Sequence, residues 1–248
     1  MNMNNILFFD IETAANPDAE KYLPEFTAPA NYKDPVKIAE YIEEKRKAAI
    51  ESMALDPDYA NIVALSYQIY PERKNIVTLL KDVTHTEYEI IQTFWTAFSY
   101  AMGRSCGYNI IAFDLPFIMR RSFALKIKPY FIPSLAKYQT NPTTDLMGIL
   151  YQWGQAKGLK KVCDMYGIPN PLPELEGSQV ATMDAETLQK YSANDVYLIV
   201  ELYKRMQGIY IPESFEIDKK RSFRKPRKSK KEINVSTNEL PDNSELPF

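Results

Sequence analysis

Ile6-Leu7-Phe8-Phe9-Asp10-Ile11-Glu12, close to the amino terminus, is an apolar run that ends in two acids. Its aliphatic and aromatic side chains are typical of a strand in the interior of a sheet, so the first strand is predicted here. Side chains two positions apart in a strand point to the same face, which places Asp10 and Glu12 side by side. Two carboxylates in apolar surroundings are unfavourable without a cation or a basic partner, although the same pair also occurs at solvated strand ends.

A third acid lies in a second apolar stretch. Asp114 lies between Phe113 and the apolar run that begins with Leu115, so it is again an acid flanked by apolar residues. Two interpretations remain open, because an Asp in front of a helix often caps the first turn of that helix.

A helical pattern over about Ala185–Met206 carries the last candidate pair. Tyr191 and Asp195 are four positions apart, which puts them on one helix face, one turn from each other. Taken alone, such a pair is ordinary helix surface. Its significance depends on whether the fold brings it to the other acids.

The remaining pattern predicts an α/β domain with a mixed sheet. A β-hairpin is expected from residues 61–70 and 75–80, and another strand is expected before Tyr108. A helical insertion is expected within residues 14–58, where apolar positions recur against a charged face. Further amphipathic helices are predicted at Tyr88–Met102, from Pro116 through Phe117–Leu125, at Asp145–Trp153 and at Leu159–Tyr166.

The amino-acid composition indicates the cellular compartment and the number of domains. Two cysteines, Cys106 and Cys163, in 248 residues argue against a disulfide framework and favour a reducing compartment. No stretch approaches the roughly 18 apolar residues that a membrane span requires, so a soluble, cytoplasmic protein with no membrane partner is expected. We predict one domain over residues 1–216 and a disordered tail over residues 217–248.

Three motifs in order carry a family resemblance. They are Phe9-Asp10-Ile11-Glu12-Thr13, the pattern N-x-x-x-F-D that ends at Asp114, and Y-x-x-x-D over residues 191–195. Together they resemble the exonuclease motifs of the DEDD superfamily. In its tyrosine subtype a tyrosine stands where the sister subtype has histidine, and the only histidine, His85, precedes the second motif.

A narrower resemblance covers about residues 4–210. The inserted helix after the first motif, Asp56-Pro57-Asp58-Tyr59, and Glu176-Gly177-Ser178-Gln179-Val180 are similar to predicted 3′–5′ exonucleases related to the proofreading domain of family B polymerases. The resemblance implies a ribonuclease H-like fold with a five-stranded mixed sheet flanked by helices. A bacterial or phage-like origin is expected.

The resemblance also implies the chemistry. Two divalent metal ions, Mg²⁺ or Mn²⁺, would be held by Asp10, Glu12, Asp114 and Asp195. Asp10 would bridge both ions, Asp114 would reach one of them mainly through water, and Tyr191 would hydrogen-bond the attacking water. Candidate substrate-binding residues are Ile11, Thr13, Tyr108, Asn109, Phe113 and Phe117. For the aromatic members of this set, ordinary core packing is the alternative, and for Asp145 helix capping is the expected role.

The expected function is a metal-dependent 3′–5′ exonuclease that degrades single-stranded DNA in repair or replication. Two alternatives stay open: an RNA 3′-end trimming exoribonuclease, and a catalytically silent nucleic-acid-binding scaffold. The motifs act on the phosphodiester and therefore do not distinguish DNA from RNA.

The carboxyl-terminal tail carries two separate predictions. Residues 219–231 hold nine Lys and Arg and no acid, so this basic arm would neutralise backbone phosphates or remain a solvated tail. The final Leu246-Pro247-Phe248, after scattered acids, resembles the tip by which bacterial single-stranded-DNA-binding proteins recruit partners. It is the candidate partner-binding segment.

Overall fold

A computed structural model of the chain describes residues 5–152 and 154–212. The predicted basic arm (219–231), the Leu246-Pro247-Phe248 tip and Trp153 lie outside these residues. Within the described part, no helix is both long enough and apolar enough to cross a membrane.

The centre of the fold is a mixed sheet of five strands in the order β3-β2-β1-β4-β5. β1 pairs antiparallel with β2 and parallel with β4. β3 extends the antiparallel side and β5 extends the parallel side. The strands are β1 (Ile6–Ala15), β2 (Ala60–Tyr70), β3 (Val77–Leu80), β4 (Ser105–Gly107) and β5 (Thr143–Asp145). The α/β fold class and the mixed sheet are therefore as the sequence pattern predicts, and the number of strands is as the family resemblance implies.

Six α-helices and three 3₁₀ turns complete the described part of the chain. The helices are α1 (Pro35–Ser52), α2 (Glu87–Tyr100), α3 (Asp114–Ala124), α4 (Leu146–Leu150), α5 (Leu159–Met165) and α6 (Ala185–Met206). The 3₁₀ turns are Pro17–Tyr22, Met53–Leu55 and Gly177–Thr182.

Successive side chains of β1 point alternately toward the two layers of helices on either side of the sheet. The Phe9 ring packs on Phe94 of α2, with ring centroids 4.9 Å apart. The Phe8 ring packs on Tyr203 of α6, with centroids 5.0 Å apart. Because a strand has a period of two, Asp10 and Glu12 share the Phe8 face and point toward the α6 layer.

Most predicted elements are confirmed, with shifts at their ends. The β2–β3 hairpin forms, α6 has the predicted bounds, and α2 begins one residue before the predicted helix and ends two before its end. α1 differs in its packing, since none of its residues is buried and the first buried side chain after it is Met53. β5 was not predicted as a strand, and α4 is shorter than the predicted helix from Asp145.

The end of the insertion is tied to the domain by arginines of α3. Arg121 donates hydrogen bonds to both carboxylate oxygens of Glu87, at 2.8 and 2.7 Å, and to the carbonyl of Pro57. Arg120 pairs with Asp58. The chain that leaves the insertion is therefore fixed where it enters β2.

Candidate active site

Three acids from two distant elements meet on the α6 face of the sheet. Carboxylate oxygens of Asp10, Glu12 and Asp195 all lie within 4.8 Å of one another. A buried hydrogen bond of 2.9 Å from Ser192 Oγ to Ser66 Oγ sets the helix against the sheet, and Ser66 is the β2 partner of Asp10. The position next to Tyr191 thus anchors α6 beside the acids.

Asp114 lies next to this cluster and not inside it. Its Oδ1 accepts a hydrogen bond from the backbone N–H of Ile11, the residue between Asp10 and Glu12, at 3.2 Å. Asp114 is the first residue of α3, whose cap position is Phe113, so the capping interpretation of Asp114 is not what the structure shows. Asp114 is 3% exposed, and its carboxylate adds to the negative charge around Asp10.

The cluster contains buried acceptor atoms without a donor. Glu12 Oε1 and Asp195 Oδ1 are buried, and neither has a hydrogen-bond partner among the described residues. Carboxylate oxygens that accept no hydrogen bond and are held close together in a buried place are unfavourable unless a cation shares them. Hard divalent cations such as Mg²⁺ and Mn²⁺ prefer such oxygens, so these residues fit a divalent metal ion.

Burial raises the pKa values of all four acids, and repulsion from the neighbouring acids adds to this effect at Asp10 and Glu12. Burial, followed by repulsion from Asp114 and Glu12, raises the pKa of Asp10 well above its usual range. Burial and repulsion from Asp195 do the same to the pKa of Glu12. Burial raises the pKa of Asp114 to about 7 and that of Asp195 to about 6. Without cations the site favours bound protons, a property common in functional sites.

Lys160 is a charged side chain of the site that the motifs did not indicate. Its Nζ lies 4.0 Å from Asp195 Oδ1, donates a hydrogen bond to the carbonyl of Leu175, and lies 4.1 Å from the ring centroid of Tyr191. It lowers the pKa of Asp195 against the larger effect of burial. In the sequence it is one of two adjacent lysines on a short amphipathic stretch. Only the tertiary structure shows that Lys160, and not Lys161, points toward the acids.

Tyr191 is buried beside the acids and is 5% exposed. Burial and repulsion from Asp195, Glu12 and Asp10 raise the pKa of its hydroxyl, which therefore stays protonated at ordinary pH. The 3₁₀ turn at Gly177–Thr182 lies directly on it: a Cβ added at Gly177 would be 3.3 Å from Tyr191 Oη. Because Gly177 has no side chain, the turn can pack this close to the Tyr191 hydroxyl.

A cleft of about 750 Å³ opens beside Glu12. One wall is the end of the insertion, with Ile50, Glu51 and Leu55, and another is the turn that contains Gly177 and Ser178. Thr13 Oγ1 donates a 2.6 Å hydrogen bond to the carbonyl of Ala54, which holds the insertion wall against β1.

The predicted substrate residues separate into three groups. Ile11, Thr13 and Phe113 line the cleft. Asn109, with φ of 67°, lines a different cavity of about 140 Å³ together with Asp145 and Lys137.

The third group is a correction to the sequence interpretation. Phe117 is 1% exposed and packs in the core, and Tyr108 is 8% exposed with its hydroxyl bonded to the carbonyl of Lys157. Neither ring is available to stack on a nucleotide. Asp145 caps α4 through the N–H of Gly148, as expected, and also accepts hydrogen bonds from the N–H groups of Asn109 and Ile111.

Comparisons with known proteins agree with this architecture. The structure of the family B DNA polymerase from the hyperthermophilic archaeon Pyrobaculum calidifontis superposes with a TM-score of 0.53 at 18% identity, over 82% of this chain and 24% of the polymerase. The chain thus spans about a quarter of that polymerase, and the likeness supports the fold. No curated protein matches the sequence.

The family comparison covers well over half of the chain. Residues 55–223 match the family described as "predicted 3′–5′ exonuclease related to the exonuclease domain of PolB". The matched range contains Asp114, Tyr191 and Asp195, whereas Asp10 and Glu12 precede it. The chain has the ribonuclease H-like fold and belongs to this family of predicted 3′–5′ exonucleases.

Proposed function

We propose that the chain hydrolyses phosphodiester bonds from the 3′ end of single-stranded nucleic acid, with DNA as the preferred substrate. The observation that carries the proposal is the convergence of Asp10, Glu12 and Asp195, with buried oxygens that accept no hydrogen bond, against Tyr191 and Lys160. DNA is preferred because the family is related to the exonuclease domain of a DNA polymerase. Trimming of RNA 3′ ends is the competing activity.

Asp10, Glu12 and Asp195 would hold divalent metal ions, and Asp114 would contribute from the side of Ile11. A pair of Mg²⁺ or Mn²⁺ ions supplies an activated water and stabilises the leaving oxygen in phosphodiester hydrolysis. These four acids and Tyr191 correspond to the tyrosine subtype of the DEDD exonucleases.

Tyr191 would act as a hydrogen-bonding group and not as a base. Its raised pKa keeps the proton on Oη, so the hydroxyl can orient an attacking water but cannot remove a proton from it. Lys160 would keep Asp195 ionised and hold the Tyr191 ring in place from its position between the two.

The cleft beside Glu12 would receive the terminal nucleoside of the strand. Among the described residues its lining includes Glu12 and Glu51 and no Lys or Arg, so it suits an uncharged base and sugar better than a phosphate. Phe113 and Leu55 offer apolar faces for the base, and Leu55 is 67% exposed. A cleft that accepts a single nucleoside favours an unpaired end, and an enzyme with this preference would serve DNA repair or replication.

The deciding experiment is degradation of labelled strands by the purified full chain. Single-stranded DNA, duplex DNA and RNA, each labelled at the 5′ end, would be incubated with Mg²⁺, Mn²⁺ or EDTA. We expect stepwise shortening of single-stranded DNA from the 3′ end, complete inhibition by EDTA, and loss of activity in Asp195→Asn.

The matched control is Asp82→Asn, at a residue whose side chain is 72% exposed on the β3–α2 loop. Asn also tolerates its φ of 59°. Shortening that persists in EDTA, or equal loss in both variants, would refute the proposal. Faster shortening of RNA would select the alternative activity.

A further inference from the structure

The last turn of α3 and the loop after it expose aromatic and basic side chains within the same short stretch, residues 123–137. Phe123 and Tyr130 are each 88% exposed and Phe131 is 47% exposed, although rings of this size are normally buried. Lys126, Lys128 and Lys137 alternate with them and are also exposed. We call these six residues the aromatic–basic patch: Phe123, Lys126, Lys128, Tyr130, Phe131 and Lys137.

The stretch of sequence that contains the patch carries charge of one sign. Residues 115–144 contain five Lys and Arg and no Asp or Glu, in a chain whose net charge is −2. Two of the five, Arg120 and Arg121, are paired with Asp58 and Glu87. The three lysines form no ion pair within residues 5–152 and 154–212, so their charges are available to a partner.

Two structural connections link the patch to the candidate active site. α3 begins at Asp114 and ends at Ala124, and its 11 residues span about 16 Å, which equals about five stacked nucleotides. Phe123 lies in the last turn of this helix. From the other side, Lys137 lines the same cavity as Asn109, five residues before Asp114.

We propose that the aromatic–basic patch binds the single strand several nucleotides to the 5′ side of the bond that is cut. This inference rests on the proposed function and adds a second contact surface for the same substrate. Exposed rings stack on bases whatever their sequence, and lysines beside them neutralise the phosphates between those bases. A protein partner fits less well, because lysine is depleted in the centres of protein interfaces.

Binding without hydrolysis gives the most direct test. Anisotropy of a fluorescein-labelled 20-nucleotide single strand would be measured in EDTA over a range of salt concentrations, with the full chain. In Lys126→Gln/Lys128→Gln/Lys137→Gln we expect weaker binding and a salt slope smaller by about 2, since each phosphate contact on a single strand contributes about 0.7. The charge-matched control is Lys33→Gln/Lys37→Gln/Lys74→Gln, in which three exposed lysines outside the patch are replaced in the same way.

The stacking contribution is tested separately with the lysines intact. Phe123→Ala/Tyr130→Ala should weaken binding by roughly tenfold or more and leave the salt slope unchanged. Tyr22→Ala, at a tyrosine that is 68% exposed on the Pro17–Tyr22 turn, is the control and should bind like the wild type. Melting temperatures should be equal, because all of these side chains are exposed.

Substrate length distinguishes the outcomes. A stacked trinucleotide covers about 10 Å, less than the length of α3 of about 16 Å, so Phe123→Ala/Tyr130→Ala should degrade it at the wild-type rate while degrading the 20-mer more slowly. Unchanged affinity and salt slope in both patch variants would overturn this inference even if the chain is an exonuclease. Chelator-insensitive or absent degradation by the wild type would instead overturn the proposed function. Loss of self-association in patch variants that still bind DNA normally would identify the patch as an interface between copies of the chain.

Discussion

The ammonium group of Lys160 lies 4.1 Å from the centre of the Tyr191 ring and 4.0 Å from Asp195 Oδ1. One cation on α5 thus contacts both polar residues of the Y-x-x-x-D motif on α6. Cation–π attraction holds the ring, and the positive charge offsets the desolvation penalty that burial imposes on the ionised carboxylate.

Lys160→Ala should therefore lower kcat by about 10- to 100-fold and raise the Mg²⁺ concentration needed for half-maximal rate. Lys160→Arg should recover part of the activity, because it restores the charge. Lys161→Ala is the control, since its side chain is 65% exposed and forms an ion pair with Asp164, away from the acids of the site. Equal losses in the Lys160→Ala and Lys161→Ala variants would contradict the positioning role.

Tyr191→Phe keeps the ring and removes only the hydroxyl. We expect kcat to fall by roughly 10- to 100-fold with little change in KM, the cost of losing one hydrogen bond to a charged group in the transition state. The pH dependence of the residual activity should keep its shape, because the buried hydroxyl does not ionise in the working range. A basic limb present in the wild type and absent in the variant would show that Tyr191 does titrate.

Gly177→Ala tests the contact between the Gly177–Thr182 turn and Tyr191. The added Cβ would stand 3.3 Å from Tyr191 Oη, so the hydroxyl or the turn must shift by a few tenths of an ångström. We expect lower kcat and no more than a small change in melting temperature. Gly154→Ala is the matched control because a Cβ there meets nothing within 4 Å. Full activity in Gly177→Ala would mean that the position of the hydroxyl is not critical.

The metal-free protein should lose stability as pH rises from about 4 to about 7. The folded-state pKa values of Asp114, about 7, and Asp195, about 6, lie above the ordinary value of 3.8. Raised carboxyl pKa values stabilise the folded state below the unfolded-state pKa, and this contribution disappears as pH passes the folded-state values. Thermal unfolding in EDTA across this range is the measurement, and Asp114→Asn should flatten the profile.

Divalent ions should reverse that loss at pH 7.5. A ligand at 100 times its Kd stabilises a fold by about 2.7 kcal/mol, and for a domain of about 200 residues each kcal/mol raises Tm by about 2–4 °C. The wild type and Asp82→Asn should therefore gain several degrees with Mn²⁺, and Asp10→Asn should gain less. Equal gains in all three proteins would place the ion elsewhere.

The sequence predicts the long, regular elements of this fold well. The bounds of α6 follow from 22 residues of sustained apolar periodicity, and the hairpin follows from two β-branched runs around a turn. The strand period alone places Asp10 and Glu12 on one face. These features depend on local spacing, which a single sequence contains.

Features set by tertiary contacts were missed or misassigned. β5 has three residues, too few for a periodic signal, and exists because it pairs with β4. Lys160 differs from Lys161 only in the direction that α5 gives it. Tyr108 and Phe117 carry the same rings as exposed binders of nucleic acid, and their burial depends on helices that pack from elsewhere in the chain.

The alternation of Phe8, Phe9 and Asp10 couples the chemistry to correct strand pairing. If β1 slipped by one position, Asp10 and Glu12 would enter the hydrophobic layer against α2, and Phe9 would take the place of an acid opposite α6. A misregistered molecule would therefore be unstable and unable to bind a cation at the same time. The candidate active site can therefore assemble only in a chain whose central strand is correctly aligned.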